Sequence, residues 1–293
     1  MIKKDIKKCI VMLSGGLDSR LVLKLMQEKG FEVTALYFKI PFSKDTETEV
    51  KEFCKQQGAE IQVFDATKGK LLQEYLKVLE KPVYGTGAGV NPCIDCKIFM
   101  LQKAKEFADK NKIEFIATGE VLGQRPMSQH KHGLELIESK SEIRGRLLRP
   151  LGELGIIGRT RQKQIELAKK FKISYPSPAG GCILCEKNLR NRLKYLIKRG
   201  MDEEEVKLVA VGRHFLIDSC WVVLGRNKSE NKIIEKLKGK ELIIPKETGP
   251  TAVILDKANK TIEDKVKKLI SAYSKEGSLE DKKEFEKYDL NLK

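Results

Sequence analysis

Short apolar runs alternate with segments of helical periodicity through the first part of the chain. The run Cys9–Leu13 has the length and composition of a buried strand in a parallel sheet. From Ser19 to Lys29 the apolar residues recur at helical spacing, and Gly30 ends the pattern. Further strands are predicted at 33–38, 61–64 and 115–118, and further helices at 44–57, 71–79, 96–110 and 159–171. This alternation predicts an α/β domain built on a parallel sheet.

The pattern changes in the second part of the chain. A basic helix is predicted at 189–199. The later apolar runs are short and strand-like, at 215–217, 221–224, 241–244 and 252–255, with one helix at 230–237. The tail from Lys257 is charged, and we predict that it is helical at first and then frayed. We therefore predict a larger α/β domain at 1–186, a basic helical linker at 187–205, and a smaller α+β domain with a charged tail at 206–293.

Charge indicates the kind of partner. The 293 residues include 57 lysines and arginines against 41 aspartates and glutamates, a formal net charge of +16. A lysine-rich surface of the thermophile type is one interpretation, and attraction to a polyanion is the other. Because basic residues clearly outnumber acidic ones, we favour a nucleic acid partner. No apolar run reaches the ~18 residues of a membrane span, and the start lacks a signal segment. We expect a cytoplasmic protein with no membrane partner.

The first strand and the first helix are joined by the segment Ser14-Gly15-Gly16-Leu17-Asp18-Ser19. Gly15 and Gly16 let the backbone approach phosphate oxygens, and the N–H groups at a helix start attract an anion. The hydroxyls of Ser14 and Ser19 can donate to the same group. Asp18 would repel a bare phosphate, but it suits a Mg²⁺ ion that bridges phosphate oxygens. The alternative is an ordinary glycine-rich turn, and the two serines with the aspartate favour the phosphate site.

This segment resembles the signature of the PP-loop ATP pyrophosphatases, which cleave ATP to AMP and pyrophosphate by adenylating a substrate oxygen. The stretch Thr118–Gln124, followed by Ser128-Gln129, is similar to the second motif of the tRNA 4-thiouridine synthetases. Leu148–Leu151 and the helix at 164–168 extend the similarity. The resemblance implies a parallel-sheet, adenine nucleotide alpha hydrolase-like fold. It also implies a nucleotide site that adds Phe38, Gly119 and Gln124 to the phosphate loop.

Four of the seven cysteines form two Cys-x-x-Cys pairs, Cys93/Cys96 and Cys182/Cys185. In a cytoplasmic chain we do not expect structural disulfides. Spacing alone leaves three alternatives: a structural zinc site, a metal-free pair that uses persulfide chemistry, and a [4Fe–4S] cluster. The other cysteines are predicted to be core or unremarkable thiols: Cys9, Cys54 and Cys220.

The resemblance favours the cluster. A subset of thiouridine synthetases holds a [4Fe–4S] cluster with one Cys-x-x-Cys pair and one distant cysteine, and the fourth iron stays open to bind the sulfur that is transferred. Cys93, Cys96 and Cys182 match those positions, so the resemblance implies that they are the metal ligands. Cys182 is counted with Asp18 as catalytic. Cys185 is left open as a fourth ligand, a persulfide carrier or a packing residue.

Several polar residues outside these motifs have two interpretations. Lys97 and Arg149 either hold phosphate or are solvated surface charges. His130 and His132 are placed in a polar loop and are assigned no metal. His214 is predicted to be a packed or surface histidine rather than a ligand.

The second domain carries motifs of its own. Gly212–Phe215, Val223–Asn227 and Gly249–Val253 are similar to the NFACT-type RNA-binding domain. Gly225-Arg226-Asn227 is predicted to turn from a strand towards a helix start, which suits a phosphate. The alternative is a turn with an exposed arginine. The predicted RNA-binding residues are Arg213, Arg226 and Asn227.

These features predict an ATP-dependent tRNA sulfurtransferase that uses ATP, Mg²⁺ and a [4Fe–4S] cluster. Its expected partners are tRNA and a sulfur donor, either inorganic sulfide or a sulfur-carrier protein, and a homodimer is compatible with the sequence. One alternative is a PP-loop ligase or sulfurtransferase that acts on a small molecule. The other is a non-catalytic RNA- or ribosome-binding protein with a regulatory ATP site.

Overall fold

The computed structural model describes residues 6–177 and 181–292. The chain divides into two compact units. Unit one comprises Met1–Gly87 and Asn91–Gly181, and unit two comprises Ala88–Val90 and Cys182–Lys293. The segment Pro178-Ala179-Gly180-Gly181 before Cys182 has the composition of a glycine loop, and its residues 178–180 lie outside the described residues. The domain limits at 186 and 206 stay a prediction.

Unit one is an α/β unit with one parallel sheet in the order β3-β2-β1-β4-β5. Its strands are β1 (Lys8–Met12), β2 (Glu32–Lys39), β3 (Glu60–Asp65), β4 (Phe115–Ala117) and β5 (Leu147–Leu148). Its helices are α1 (Leu17–Glu28), α2 (Glu47–Gln56), α3 (Gly69–Glu80), α4 (Cys93–Lys110), α5 (Lys131–Lys140), α6 (Pro150–Glu153) and α7 (Gln162–Lys170). The predicted parallel sheet is confirmed.

Helices cover both faces of this sheet, so the central strand β1 is apolar and buried over Cys9–Val11. Cys9 and Val11 of β1 pack in one core cluster with Leu21 of α1, while Ile10 packs in the other with Ile98 of α4. The predicted core thiols Cys9 and Cys54 are buried, and burial raises their pKa values to about 12 and about 11. The central strand β1 has β2 on one side and β4 on the other. The carboxyl ends of β1 and β4 therefore form the switch point at which such sheets bind ligands.

Unit two is built around an antiparallel sheet in the order β6-β7-β9-β8. Its strands are β6 (Arg213–Ile217), β7 (Cys220–Leu224), β8 (Glu241–Ile243) and β9 (Ala252–Ile254). Its helices are α8 (Arg190–Arg199), α9 (Lys228–Ile234), α10 (Lys260–Ala272) and α11 (Leu279–Glu286). The prediction of a smaller α+β unit is confirmed. No helix in the described part of the chain is long and apolar enough to cross a membrane.

Two local predictions were wrong. His130 and His132 do not lie in a plain loop, because the His130 ring accepts from the Gly133 N–H and caps the start of α5, which contains His132. The prediction that the tail is frayed after its first helix was also wrong for the described residues. Ser278 and Asp281 form a capping box at the start of α11, and Phe285 of that helix is buried.

A buried imidazole–indole pair lies at the centre of unit two. Trp221 and His214 are both fully buried, and the Trp221 indole N–H donates to His214 Nδ1 over 3.1 Å. His214 Nε2 lies 2.8 Å from the Val211 carbonyl oxygen, so this nitrogen carries the proton. Burial, with the charge of Arg192 in addition, lowers the pKa of His214 to about 3. The prediction of a packed histidine is confirmed.

A buried carboxylate joins three elements of unit one. Glu120, just after β4, is 6% exposed, and it pairs with Lys97 of α4 and with Arg149, which also pairs with Glu138 of α5. Burial raises the pKa of Glu120, but Lys97 and Arg149 outweigh this effect and hold it below its usual range. Lys97 and Arg149 are therefore ion-paired rather than solvated. The network fixes the first turns of α4 against the end of β4.

We expect His214 to make unit two sensitive to mild acid. Between about pH 6.5 and pH 3 the unfolded chain binds a proton that the folded chain does not, so stability is complete above about pH 6.5 and falls below it. The loss is at most about 1.4 kcal/mol per pH unit. Urea unfolding followed by the fluorescence of Trp221, the one tryptophan of the chain, measures it near pH 7 and near pH 5.5. His214→Gln is the control and should lose most of this slope; equal unfolding midpoints of the wild type at both pH values would contradict the expectation.

Glu120→Gln should destabilise unit one by about 2–4 kcal/mol, because it leaves the partly buried Lys97 without its carboxylate and leaves Arg149 with Glu138 alone. Glu138→Gln is the matched control. The Glu138 side chain is 22% exposed and pairs with Arg149 over 2.8 Å, so we expect a loss of about 0.5–1 kcal/mol. Denaturant unfolding followed by far-UV circular dichroism compares the two variants. Equal losses would show that the burial of Glu120 has no special importance.

Candidate nucleotide and sulfur site

The phosphate loop lies at the carboxyl end of β1. The first backbone hydrogen bond of α1 runs from the Arg20 N–H to the Gly16 carbonyl oxygen, so the N–H groups of residues 17–19 have no partner within the helix. No side chain caps this helix start at Gly16. Ser14 donates to Ser19 over 3.3 Å, which brings both predicted hydroxyls to one place. An uncapped helix start with adjacent hydroxyls is chemically suited to a phosphate group.

Two glycines are required by geometry. Gly15 has φ = +84°, and a Cβ there would lie 2.8 Å from Val50 Cγ2. At Gly119, a Cβ would lie 2.9 Å from the Asp18 carbonyl carbon and from the Ser19 nitrogen. Gly119 thus lets the segment after β4 touch the start of α1. A Cβ at Gly16 would meet only Ser14 Oγ, at 3.8 Å, so protein packing does not explain that glycine.

Arg20 is a site residue that sequence reasoning missed. The residue is 6% exposed. Its Nε donates to the Gly15 carbonyl oxygen over 2.8 Å, and its Nη1 donates to the Ser174 carbonyl oxygen over 2.9 Å. The guanidinium also lies 4.6 Å from the centre of the Phe53 ring. Burial lowers its pKa, and Cys54 and Glu49 act in the opposite direction. An arginine placed directly after the motif is the signal in the sequence, but neither the 154-residue separation of its partner nor the ring contact could be read from it.

Asp18 lies in the first turn of α1, and only one of its two carboxylate oxygens accepts a hydrogen bond from a described residue. Oδ2 accepts from Gln124 Nε2 over 3.1 Å, so the structure brings these two predicted residues together. Oδ1 is buried and has no hydrogen-bond partner among the described residues. An orphaned carboxylate oxygen beside an uncapped helix start fits a hard cation such as Mg²⁺. Predicted Phe38 lies near the end of β2, where its ring stacks on Phe64 with 5.0 Å between centroids.

The Cys93/Cys96 pair begins α4. The helix starts at Cys93, three residues earlier than predicted, so both sulfurs lie on one side of its first turn. Asn91 is 8% exposed and donates to Cys93 Sγ over 3.1 Å. The Tyr75 hydroxyl lies 3.6 Å from Cys96 Sγ. Both thiols are partly accessible, and a thiolate pair in this arrangement fits iron or zinc.

The second pair lies in unit two. Cys182 precedes a 3₁₀ turn at Ile183–Cys185, whose Leu184 carbonyl oxygen accepts from the Val90 N–H over 2.8 Å. Cys182 is partly buried and Cys185 is exposed. Within 6–177 and 181–292, no group of three or more His, Cys, Asp or Glu side chains has the arrangement of a metal site. The ligand set Cys93, Cys96 and Cys182 therefore stays a prediction.

The residues predicted to bind RNA make contacts within unit two. Arg213 lies 5.0 Å from the centre of the Tyr273 ring. Arg226 pairs with Glu230, and the Asn227 side chain caps α9 by accepting from the N–H groups of Ser229 and Glu230. Each therefore has a structural role, and their contact with RNA stays a prediction.

Comparison with curated proteins gives relatives of partial similarity. The chain is 27% identical over 159 residues to a tRNA-specific 2-thiouridylase MnmA of a Nitratiruptor species, covering 50% of this chain and 46% of the relative. It is 31% identical over 175 residues to a "Probable tRNA sulfurtransferase" of a Thermoanaerobacter species, covering 57% and 42%. The chain spans less than half the length of these two relatives.

The chain also matches two solved structures, each with a TM-score below 0.5. A 4-thiouridine synthetase in complex with RNA and bound ATP matches with a TM-score of 0.46 and 23% identity, over 60% of this chain and 44% of the other. The U34-tRNA thiolase NcsA from Methanococcus maripaludis, with its [4Fe–4S] cluster, matches with a TM-score of 0.37 and 20% identity, over 68% and 71%.

The family comparison covers most of unit one. The family described as "Thiamine biosynthesis protein (ThiI)" matches residues 6–194, which include the phosphate loop, the Glu120 network and both cysteine pairs. With well over half of the chain matched, the protein belongs to the ThiI family.

Proposed function

We propose that this protein is an ATP-dependent tRNA sulfurtransferase that adenylates a uridine carbonyl oxygen and replaces it with sulfur. One observation carries the proposal: the buried, unpartnered Oδ1 of Asp18 beside the uncapped start of α1. This arrangement offers an anion site and a cation site side by side, as ATP with Mg²⁺ requires. Family membership and the names of the curated relatives support sulfur transfer to tRNA.

The proposed reaction has two steps. The uridine carbonyl oxygen attacks the α-phosphorus of ATP, and pyrophosphate leaves. A sulfur nucleophile then attacks the activated carbon, and the C–O bond to AMP breaks. In the first step, the N–H groups of residues 17–19 and the hydroxyls of Ser14 and Ser19 would bind phosphate oxygens, while Asp18 would hold Mg²⁺. Fixed donors aimed at developing charge are the largest contribution that a protein can make here. Phe38, Gly119 and Gln124 are proposed to border the nucleotide.

The cysteines are proposed to serve the second step. Cys93 and Cys96 would hold two irons of a [4Fe–4S] cluster, with Cys182 as the third ligand. When bound, such a cluster would present sulfur at an open iron. The chain itself contributes the helical spacing of the first pair and the Asn91 side-chain amide, whose Nδ2 donates to Cys93 Sγ over 3.1 Å. The sulfur donor is proposed to be inorganic sulfide or a sulfur-carrier protein.

The partner is proposed to be tRNA, with a homodimer compatible with this function. The net charge of +16 supports binding to a polyanion. Arg213, Arg226 and Asn227 of unit two are the proposed contacts. A small-molecule ligase and a non-catalytic RNA-binding protein are the rival functions. Release of pyrophosphate that depends on tRNA separates the proposal from both.

Asp18→Asn should lower the tRNA-dependent formation of AMP by at least about 100-fold, because the phosphate charge loses its cation. The fold should persist, since Asp18 is a partly exposed residue with one hydrogen-bond partner. Glu28→Gln is the matched control, as it removes one carboxylate from the exposed end of the same helix. Wild-type turnover by Asp18→Asn would remove the central proposal.

Protein prepared without oxygen should contain about four irons per chain. Cys93→Ala and Cys96→Ala should lose the iron and the thiolation, while pyrophosphate release should persist because the phosphate loop is a separate group of residues. Iron analysis and nucleoside mass spectrometry measure the two effects. Cys185→Ala is the comparison variant: retained iron supports three-cysteine ligation, and lost iron supports four. One tightly bound zinc in place of iron would contradict the cluster.

A further inference from the structure

Arg192, on α8 of unit two, is a buried cation without a hydrogen bond. The residue is 4% exposed, and its neighbours Leu193 and Leu196 are fully buried. Its Nε is buried and has no partner. Within 6–177 and 181–292 the guanidinium donates no hydrogen bond. Arginine is almost never buried in this way unless it is paired, because desolvation of the charge is costly. The described residues of unit two therefore provide no hydrogen bond that offsets the desolvation cost of the Arg192 charge.

The acids near Arg192 are engaged with other groups. Glu230 accepts from the N–H groups of Gly212 and Arg226, over 3.2 Å and 2.9 Å, and from the Arg226 guanidinium. Asp289 Oδ1 accepts from the Asn291 N–H over 2.7 Å. Burial, and then the charge of Arg226, lower the pKa of Arg192 to about 10, although Asp289 and Glu230 act in the opposite direction. Two guanidinium groups thus lie within electrostatic reach of each other, and the carboxylates do not bind the inner one.

Arg226 is the outer member of this pair. Glu230 holds its Nε over 2.9 Å, and its Nη2 donates both to Glu230 and to the Ala210 carbonyl oxygen. Its Nη1 donates to no residue in the part of the chain that the structure describes, and the side chain is 47% exposed. The buried guanidinium of Arg192 and the half-exposed guanidinium of Arg226 therefore both have N–H donors that the described residues do not use. Planar forks of this kind match the oxygens of a phosphate group.

We propose that Arg192 and Arg226 together bind one phosphate group, supplied by the backbone of the RNA substrate. Arg192 would provide the inner, desolvated contact, and Arg226 the outer one, held in place by Glu230. The identification of RNA as the source rests on the proposed function, whereas the phosphate site does not. A dianionic or diester phosphate would relieve the repulsion between the two arginines and satisfy the donors of Arg192.

The test is Arg192→Met in the full chain, with two measurements. Thermal unfolding followed by Trp221 fluorescence reports on unit two, because this is the chain's one tryptophan and it is fully buried there. We expect the midpoint to rise by about 2–4 °C, since an unpaired buried charge is replaced by an apolar side chain. Fluorescence anisotropy with labelled tRNA should show roughly tenfold weaker binding and a salt slope smaller by about one. A purely structural arginine would not give higher stability together with weaker binding.

Control variants separate the outcomes. Lys194→Met removes an exposed charge from the same helix and should leave the unfolding midpoint unchanged. Arg226→Met should weaken tRNA binding as Arg192→Met does. If Arg192→Met does not fold, Arg192→Lys takes its place: it keeps the charge but loses the fork, and it should weaken binding without a large loss of stability.

Inorganic phosphate tests the phosphate site separately from tRNA binding, so the two results together tell an RNA phosphate from free phosphate as the ligand. It should raise the unfolding midpoint of the wild type but not of Arg192→Met, whichever source is correct. If the variant then binds tRNA as tightly as the wild type does, RNA is not the source. No stabilisation by phosphate, unchanged tRNA affinity and a lowered midpoint in Arg192→Met would together overturn the site. A wild type that binds phosphate but no tRNA would refute the proposed function and leave the phosphate site standing.

Discussion

The hydrogen bond from Arg20 to the Gly15 carbonyl oxygen is the constraint on which the candidate site depends. It joins two groups that are both buried, over 2.8 Å, and it fixes the peptide that precedes the uncapped start of α1. Because that peptide is fixed, the N–H groups of residues 17–19, which have no partner within the helix, are held in one orientation. Asp18 then stands where Gln124 can reach it, and Gly119 can approach the helix without a side chain. The loop is ordered by the protein before any ligand is bound, which lowers the entropy cost of binding.

Each unit contains a buried carboxylate that binds several donors, but only in unit one are all the nearby cations paired with a carboxylate. In unit one, Glu120 takes up Lys97 and Arg149, and both cations have a carboxylate partner. In unit two, Glu230 pairs with Arg226 and accepts from two backbone N–H groups. Among the described residues, no carboxylate accepts a hydrogen bond from Arg192. The first arrangement is complete within the protein and stabilises it. The second is incomplete, and incomplete satisfaction of a buried charge is where a ligand has most to contribute.

The sequence was sufficient for elements that depend on local periodicity. The strands β1–β4, the four strands of the second sheet and the phosphate loop follow from apolar runs and glycine positions, since these signals lie within a few residues. The two-residue strand β5 was not predicted. The starts of α1 and α4 were displaced by two and three residues, because Gly16 and Pro92 cap them without side-chain hydrogen bonds. Helix boundaries are the least certain part of such predictions.

The contacts that define the sites were not predictable for a different reason. Arg20 donates a hydrogen bond to the Ser174 carbonyl oxygen, and Glu120 forms an ion pair with Lys97. Each pairing joins separate parts of the chain, which no local pattern encodes. Arg192 differs, because its Nε has no hydrogen-bond partner among the described residues, and a missing contact has no local signal either. The tail was misjudged because charge outweighed two local signals, the Ser278–Asp281 capping box and the buried Phe285.

The short segment Ala88–Val90 gives the molecule an unusual connectivity. It belongs to unit two, where the Val90 N–H bonds to the Leu184 carbonyl oxygen over 2.8 Å, yet the residues on either side of it belong to unit one. A Cβ at Gly89 would lie 2.9 Å from the Cys185 carbonyl carbon, so the contact also demands a glycine. The second unit is therefore not a module that a single recombination event could transplant intact. A gene fusion that carried only residues from Cys182 onward would lack the segment Ala88–Val90, which borders the turn that contains Cys185.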